Sequence, residues 1–159
     1  MGETRILIRT GDLLNASGVL VHQVNAVTTV GKGLSAAVFS RWPAADIYQA
    51  QTPREPGQCL ITILPVAAVA VANIVGQRLP GKPKHPETAQ MREAWFAEAL
   101  SALARWLHGI PFGTLIPVNF PYGIGCGLAG GDWDHYFKMI EAFAATVPAN
   151  PVIIWRLPG

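Results

Sequence analysis

The sequence predicts an α/β fold in which helices are layered against a largely parallel β-sheet. Runs rich in Val, Ile and Leu alternate along the chain with segments whose apolar residues have helical spacing. Glycine-bearing loops follow two of these runs, at Ala26–Gly33 and Gly123–Asp132. Alternating strands and helices form parallel crossovers, and ligands of such sheets bind at the carboxyl ends of the strands. We therefore expect both loops to face one cleft.

The length and composition favour a single globular domain spanning residues 1–159. Half of the 159 residues are hydrophobic and 14% are charged, which is typical of a chain with a substantial core. The net charge of +2 comes from 12 basic and 10 acidic residues without a dense cluster. General nucleic-acid binding needs a concentrated basic face, so the sequence carries no strong nucleic-acid signature.

The two cysteines, Cys59 and Cys126, are far apart and form no C-x-x-C motif, which favours a reduced, cytoplasmic protein. The N-terminus resembles no signal peptide. The apolar stretch Cys59–Val75 is short for a membrane span and contains Pro65 and Asn73, so two buried strands explain it better. We expect a monomer with no membrane segment.

The first half of the chain is predicted to contain two strands and two helices. Thr4–Arg9 alternates apolar and polar residues, and Gly18–Asn25 is a more continuously apolar strand that ends in polar residues. Leu34–Arg41 has a helical pattern that Trp42-Pro43 stops. A short helix is predicted over Ala44–Thr52.

The second half continues the alternation. Glycine and proline punctuation makes Gly76–Pro86 a loop, and the longest helical pattern follows at Glu87–Leu107, ended by Gly109. The remaining elements are strands at Gln58–Leu64, Val66–Val75, Thr114–Phe120 and Pro151–Leu157, and a helix at Trp133–Ala145.

The loop from Gly123 to Asp132 contains five glycines in its first nine positions, between a strand and a helix. Glycines at this density suit a backbone that needs positive φ or close approach to a ligand, and amides before a helix N-terminus form an anion site. Gly125–Gly130 fits G-x-G-x-x-G, but the region around Asn150 has no acidic residue, which disfavours a Rossmann site. A tight turn without a ligand is the alternative.

Five residues could carry chemistry, and each has a plain structural alternative. His22 is either a buried imidazole or a group facing the cleft. The Asn25 amide could read a hydroxyl, and Lys32 could reach an anion or remain a solvated charge. Asp132 is either a helix N-cap or catalytic. For Cys126 we prefer a small packed side chain over a thiolate activated by the helix dipole.

Other reactive motifs are missing from the sequence. There is no G-x-S-x-G, and Ser17, Ser35, Ser40 and Ser101 lie in ordinary contexts. No histidine pair has zinc-ligand spacing, so we expect neither a metal site nor a metal hydrolase. We also expect no cofactor.

Four motifs together resemble a macrodomain: Gly11-Asp-Leu-Leu14, His22-Gln-Val-Asn25, Gly31-Lys-Gly33 and Gly123-Ile-Gly-Cys-Gly-Leu-Ala-Gly-Gly-Asp-Trp133. The resemblance spans Asp12 to Leu157. It is strongest to small stand-alone proteins that process ADP-ribose-1''-phosphate, a branch that also resembles terminal ADP-ribose glycohydrolases and DNA ADP-ribosyl-hydrolase antitoxins. It implies a three-layer α/β/α sandwich with a mixed, mostly parallel sheet, and a cleft for ADP-ribose or an ADP-ribosylated substrate.

The resemblance also implies binding roles. Asp12 would accept from the adenine amino group beside Leu13, Asn25 would hold the distal ribose, and Trp155 or Leu157 would border the adenine. The residues expected to close over the ribose or cradle the diphosphate are Gly31, Lys32, Gly33, Gly123, Ile124, Gly125, Cys126, Gly127 and Leu128.

The implied catalytic residues are His22, Asp132 and Glu87. His22 stands three residues before Asn25, as the proposed catalytic histidine of the yeast ADP-ribose-1''-phosphate phosphatase does, and Glu87 lies near the position of that enzyme's acid. The sequence departs from the glycohydrolases, whose lysine aligns with Gly76 or Gln77 and precedes Lys82 and Lys84. Their acid aligns with Ala129, which leaves Asp132 as the nearest carboxylate.

The expected function is hydrolysis of a bond at C1'' of the distal ribose by water, with His22 or Asp132 as general acid or base. The alternatives are a non-catalytic ADP-ribose reader and a generic nucleotide-diphosphate binder, including an oxidoreductase built on the G-x-G-x-x-G.

Overall fold

A computed structural model describes residues 6–65, 69–110 and 116–158. Within these residues, six strands form one sheet in the order β1-β6-β5-β2-β4-β3. All neighbouring strands are parallel except the antiparallel pair β3 and β4. The strands are β1 Ile6–Thr10, β2 Gly18–Asn25, β3 Cys59–Leu64, β4 Val69–Gln77, β5 Val118–Pro121 and β6 Val152–Arg156, and the helices are α1 Leu34–Arg41, α2 Ala89–Gly109 and α3 Trp133–Thr146.

The helices cover both faces of the sheet, which confirms the three-layer α/β/α prediction. Successive side chains of a strand point to opposite faces. In β2, Val19 and Val21 pack into the core formed with α2 and α3, whereas Leu20 and Val24 pack into the core formed with α1. Burial on both faces explains why this strand is continuously apolar.

The central strands β2 and β4 end together. Asn25 is paired with Gln77, so polar residues lie side by side at the carboxyl ends of these two buried strands. The predicted loop at Gly76–Pro86 therefore starts too early, because β4 continues through Gly76 and Gln77. A Cβ on Gly76 would lie 2.5 Å from Oε1 of Gln23, so glycine at this position leaves room for the Gln23 side chain inside the sheet. The predicted start of this strand, Val66 to Ala68, lies outside the described residues.

The predicted helix at Ala44–Thr52 is wrong. Only a single 3-10 turn, Pro43–Ala45, forms there, followed by hydrogen-bonded turns. The Asp46 carboxylate accepts hydrogen bonds from the backbone amides of Tyr48 and Gln49 at 3.0 Å, which replaces helical bonding with an Asx-type turn.

The other element boundaries shift by a few residues. The long helix α2 begins at Ala89 because Thr88 caps it, accepting from the Met91 amide at 3.1 Å. Glu87 consequently precedes the helix. Residues 114 and 115, predicted to begin a strand, lie outside the described residues. Among the described helices, none combines the length and apolarity required to cross a membrane.

Asn119 is a buried polar link between three parallel strands. Its amide nitrogen donates to the carbonyls of Ser17 and Val19 at 2.8 and 3.0 Å, and its oxygen accepts from the Trp155 indole at 2.8 Å. The side chain therefore adds hydrogen bonds from β5 to β2, to Ser17 just before it, and to β6.

We expect Asn119→Ala to lower the free energy of unfolding by about 2–4 kcal/mol, because two carbonyls and the indole N–H lose their buried partner. Urea titration measures the change. Asn15→Ala, at an exposed position, is the control and should cost about 0.5 kcal/mol or less. Equal stabilities of the two variants would contradict the linking role.

Candidate functional site

A cleft of about 800 Å³ opens at the carboxyl ends of β2, β4 and β5. Its volume is within the range that holds a nucleotide-sized ligand. Four segments line it: the end of β2, the loop between β2 and α1, the segment after β4, and the glycine loop after β5. The two glycine loops therefore face one cleft, as the sequence predicted.

The glycine loop is held in a tight, specific shape. The Gly131 amide donates to the Gly125 carbonyl, and the Cys126 amide donates to the Gly123 carbonyl, both at 2.9 Å. At Gly125, φ is +77° and a Cβ would lie 2.6 Å from the Tyr136 ring of α3. Glycine is required there because the loop packs directly on the helix.

Part of this loop presents unused donors to the cleft. Within the described residues, the amides of Gly125, Gly127 and Leu128 make no protein hydrogen bond, and all three residues line the cleft. Clustered backbone N–H groups of this kind form an anion-binding concavity. Lys32 also lines the cleft and adds a positive charge.

Asn25 shapes the opposite wall. Its side-chain oxygen accepts from the amides of Val27 and Thr28 at 3.1 and 2.7 Å, and its own backbone amide donates to the Tyr48 hydroxyl at 2.9 Å. The oxygen is thus committed to the loop. The amide nitrogen of the same side chain has no partner within the described residues, which leaves it as a donor for a ligand.

His22 lines the cleft but is only 1% exposed. Its Nε2 lies 2.6 Å from Oδ1 of Asn73, and its Nδ1 lies 3.4 Å from Oγ of Ser35. Burial lowers the pKa of His22 to about 4, although the Asn73 hydrogen bond opposes this shift. The imidazole is therefore neutral at pH 7.

Asp132 is the N-cap of α3. Its carboxylate accepts from the Asp134 amide at 3.0 Å and lies 3.7 Å from Nε2 of His135. The Glu93 carboxylate, followed by Asp132, raises the pKa of His135. Asp132 does not line the cleft, so the geometry supports the capping alternative over the catalytic one.

Glu87 is buried and serves the backbone. Its carboxylate accepts from the amides of Arg78 and Leu79 at 3.1 and 3.2 Å and from Nε of Arg92 at 2.6 Å. The Arg92 guanidinium also donates to the carbonyls of Gly81 and Ala129 at 2.6 and 3.2 Å. This pair fastens the segment after β4 to the glycine loop. Glu87 does not line the cleft, and its contacts assign it a structural role.

The residues predicted to contact an adenine are not among those that line the cleft. Asp12 accepts from the Leu14 amide at 2.9 Å and caps a 3-10 turn, in which Leu13 is buried. Trp155 packs against Gly11, while Leu157 is 69% exposed.

Three further residues considered in the sequence analysis are Cys126, Gly31 and Lys82. Burial, followed by the nearby Asp132 carboxylate, raises the pKa of Cys126 to about 11. The side chain is partly buried against the core formed with α2 and α3, and Cys126 is not among the residues that line the cleft. Gly31 lies outside the cleft lining, and the Lys82 side chain rests on Gly130. No group of three metal-binding side chains forms among the described residues.

Ser35, Tyr48, Gln23 and Gln77 line the cleft without having been predicted from the sequence. Ser35 is the second residue of α1, and its hydroxyl faces β2. The sequence offered one indication that Ser35 could reach the cleft. It lies two residues after Gly33, at the start of a predicted helix and next to a loop that follows a strand.

No family model and no curated relative matches the sequence. Solved structures do match over nearly the whole chain. A Bacteroides thetaiotaomicron protein of unknown function superposes with a TM-score of 0.79 at 24% identity, covering 98% of this chain and 99% of that one. The macrodomain of Mycobacterium tuberculosis DarG gives 0.73 at 21% identity, with 96% and 98% covered. Thermosipho africanus DarTG in complex with ADP-ribose gives 0.61 at 20% identity, with 93% and 40% covered. The fold is that of a macrodomain.

Glu87→Ala should lower the free energy of unfolding by about 3–5 kcal/mol, because it leaves the Arg92 guanidinium buried without its counter-ion. Chemical denaturation measures the loss. Glu55→Ala is the matched control, since Glu55 forms an exposed pair with Arg78 that is worth about 1 kcal/mol or less. Similar losses in both variants would show that the buried pair is no stronger than the exposed one.

The buried neutral His22 should make stability depend on pH. Between pH 6.5 and pH 4, His22 is protonated in the unfolded chain but remains neutral in the native protein. The free energy of unfolding therefore falls as the pH decreases. From pH 7 to pH 5 the wild type should lose about 2 kcal/mol more than His22→Gln. Denaturation at both pH values tests this, and His135 is common to both proteins. Parallel pH dependence would contradict the lowered pKa.

Proposed function

We propose that this macrodomain-like chain binds ADP-ribose and hydrolyses a bond at C1'' of its distal ribose. The observation that carries the proposal is the cleft in which unpaired amides of the glycine loop lie opposite Asn25. Such amides suit a diphosphate, and the Asn25 amide nitrogen suits a ribose hydroxyl. Thermosipho africanus DarTG, a similar fold, has been solved with ADP-ribose.

The order of the strands supports an extended ligand. From β2 the sheet continues through β5 and β6 to β1, all parallel, so their carboxyl ends form one edge. This edge carries Asn25 at the end of β2, the glycine loop after β5, Trp155 near the end of β6 with Leu157 after it, and Asp12 after β1. A ligand with its distal ribose at Asn25 and its diphosphate at the loop would direct its adenine towards Asp12.

For the chemical step, water attacks C1'' while the loop amides hold the diphosphate and orient the ribose. Of the three predicted catalytic residues, only His22 lines the cleft. A neutral imidazole can accept a proton, so His22 is the base in this proposal. The bond broken is a phosphate ester or a glycosidic or acyl linkage to an ADP-ribosylated partner.

A non-catalytic ADP-ribose reader is the second candidate. It is favoured by the positions of Asp132 and Glu87, because both carboxylates are engaged in structural contacts outside the cleft. A generic nucleotide-diphosphate binder would use the same loop amides without the Asn25 contact. We also propose, as in the sequence analysis, that the protein is a cytoplasmic monomer.

We expect calorimetry to show ADP-ribose binding that is tighter than that of NAD or AMP. Gly127→Glu should weaken it at least about 100-fold, because a carboxylate enters the anion site. This change suits the fold, since a Cβ on Gly127 meets nothing within 4 Å. Ser101→Glu, on exposed helix surface, is the control for the added charge. Unchanged affinity in Gly127→Glu would contradict the diphosphate site.

Turnover is tested separately with ADP-ribose-1''-phosphate in water enriched in oxygen-18. Attack at phosphorus places one labelled oxygen in the released phosphate, whereas attack at C1'' leaves that phosphate unlabelled. Tight binding without any turnover would establish the reader and exclude hydrolysis of this substrate. Equal binding of other nucleoside diphosphates would favour the generic binder.

A further inference from the structure

A chain of hydrogen-bonding groups leads from the cleft into the sheet. The Ser35 hydroxyl faces Nδ1 of His22 at 3.4 Å, Nε2 of His22 faces Oδ1 of Asn73 at 2.6 Å, and Nδ2 of Asn73 donates to the Leu60 carbonyl at 3.2 Å. The four groups come from α1, β2, β4 and β3. Ser35 and His22 line the cleft, and Asn73 is fully buried.

The direction of the hydrogen bonds follows from the last member of the chain. The Leu60 carbonyl can only accept, so the Asn73 amide nitrogen points to it and the Asn73 oxygen points to His22. That oxygen also can only accept, so Nε2 of His22 carries the proton. In the neutral imidazole, Nδ1 then bears a lone pair directed at the Ser35 hydroxyl.

The surroundings of His22 keep it neutral while leaving one route to the cleft. On the α1 side, the Phe39 ring packs edge-on against the imidazole at 5.2 Å. The Tyr48 hydroxyl lies close to Ser35, and the charges of Arg54 and Asp46 act on the pKa of that hydroxyl. No carboxylate hydrogen-bonds to the imidazole among the described residues. Because Nε2 is bonded to Asn73, a proton can pass between His22 and a ligand through Nδ1 and the Ser35 hydroxyl that faces it. The same hydroxyl also lies 3.5 Å from the Gln23 carbonyl.

We infer that Ser35 is a catalytic residue that transfers a proton from the attacking water to His22, while Asn73 is a positioning residue that selects the reactive tautomer. The inference rests on the proposed function. Hydrogen-bonded hydroxyl, imidazole and amide groups in this order are the arrangement that activates oxygen nucleophiles. The 3.4 Å separation is of the kind that shortens when a ligand binds.

The step balances as a hydrolysis. The water oxygen forms a bond to C1'' as the bond from C1'' to the leaving oxygen breaks, and the leaving phosphate keeps the electron pair. One water proton passes to Oγ of Ser35 as the hydroxyl proton passes to Nδ1 of His22. The imidazolium then returns its proton through Ser35 to phosphate or solvent.

Ser35→Ala should lower kcat for ADP-ribose-1''-phosphate about 100-fold or more and leave the ADP-ribose affinity within about threefold. Ser40→Ala, an exposed serine of the same helix, is the matched control and should have wild-type kcat.

Wild-type kcat in Ser35→Ala would overturn the inference, even if ADP-ribose binding and hydrolysis stand. Binding without turnover in the wild type would overturn both the inference and the hydrolytic part of the proposed function. No binding would overturn the whole proposal.

Asn73→Asp tests the chain in a way that a structural role would not predict. A carboxylate at this position stabilises the imidazolium, so the acidic limb of the kcat profile should move from about pH 4 to higher pH. Nitrogen-15 NMR of the wild type provides a second measurement that does not depend on a variant. A protonated Nε2 and an unprotonated Nδ1 are expected for His22, and the opposite tautomer would overturn the inference.

Discussion

The shape of the cleft depends on the contacts of the buried Arg92 guanidinium. It is 2% exposed and reaches the Glu87 carboxylate, the carbonyls of Leu79 and Gly81, and the Ala129 carbonyl of the glycine loop. A buried charge with this many acceptors is held in one geometry, because losing any partner leaves it poorly solvated. The segment after β4 and the loop after β5 are thereby kept at a defined separation, and that separation sets the width of the cleft.

The sheet supplies the second constraint. Strands β2 and β4 are buried on both faces, so their polar side chains must find partners inside the protein. His22 and Asn73 satisfy each other across these strands, and the Gln23 amide nitrogen donates to Gln77 at 2.6 Å near the strand ends. Polar pairs in the middle of an apolar sheet reduce the number of acceptable registers. The same register places Asn25 beside Gln77 at the edge that faces the cleft.

Local patterns were sufficient for much of the fold. The sequence predicted β2 from its apolar run, α1 and α3 from their helical spacing, and the glycine loop from its composition. Each of these signals depends only on residues that are close together in the chain. The segment Ala44–Thr52 has helical composition, but the Asp46 carboxylate binds two nearby amides and diverts the chain into turns. The end of β4 was also misjudged, because Gly76 was interpreted as a loop residue although it allows the Gln23 side chain to pack within the sheet.

By itself, the sequence determined the fold class, the position of the glycine loop, and the placement of His22 within β2 and of Asn25 at its end. These features depend on the periodicity of apolar residues and on the need for glycine in tight loops, and both can be recognised in a short stretch of sequence. Only the tertiary structure decided that Glu87 belongs to Arg92, that Asp132 caps α3, and that Ser35, His22 and Asn73 form one chain. His22 and Asn73 are 51 residues apart, and their contact exists only because β2 pairs with β4 in one register. Partners of buried polar groups are set by that global packing, which no local pattern encodes.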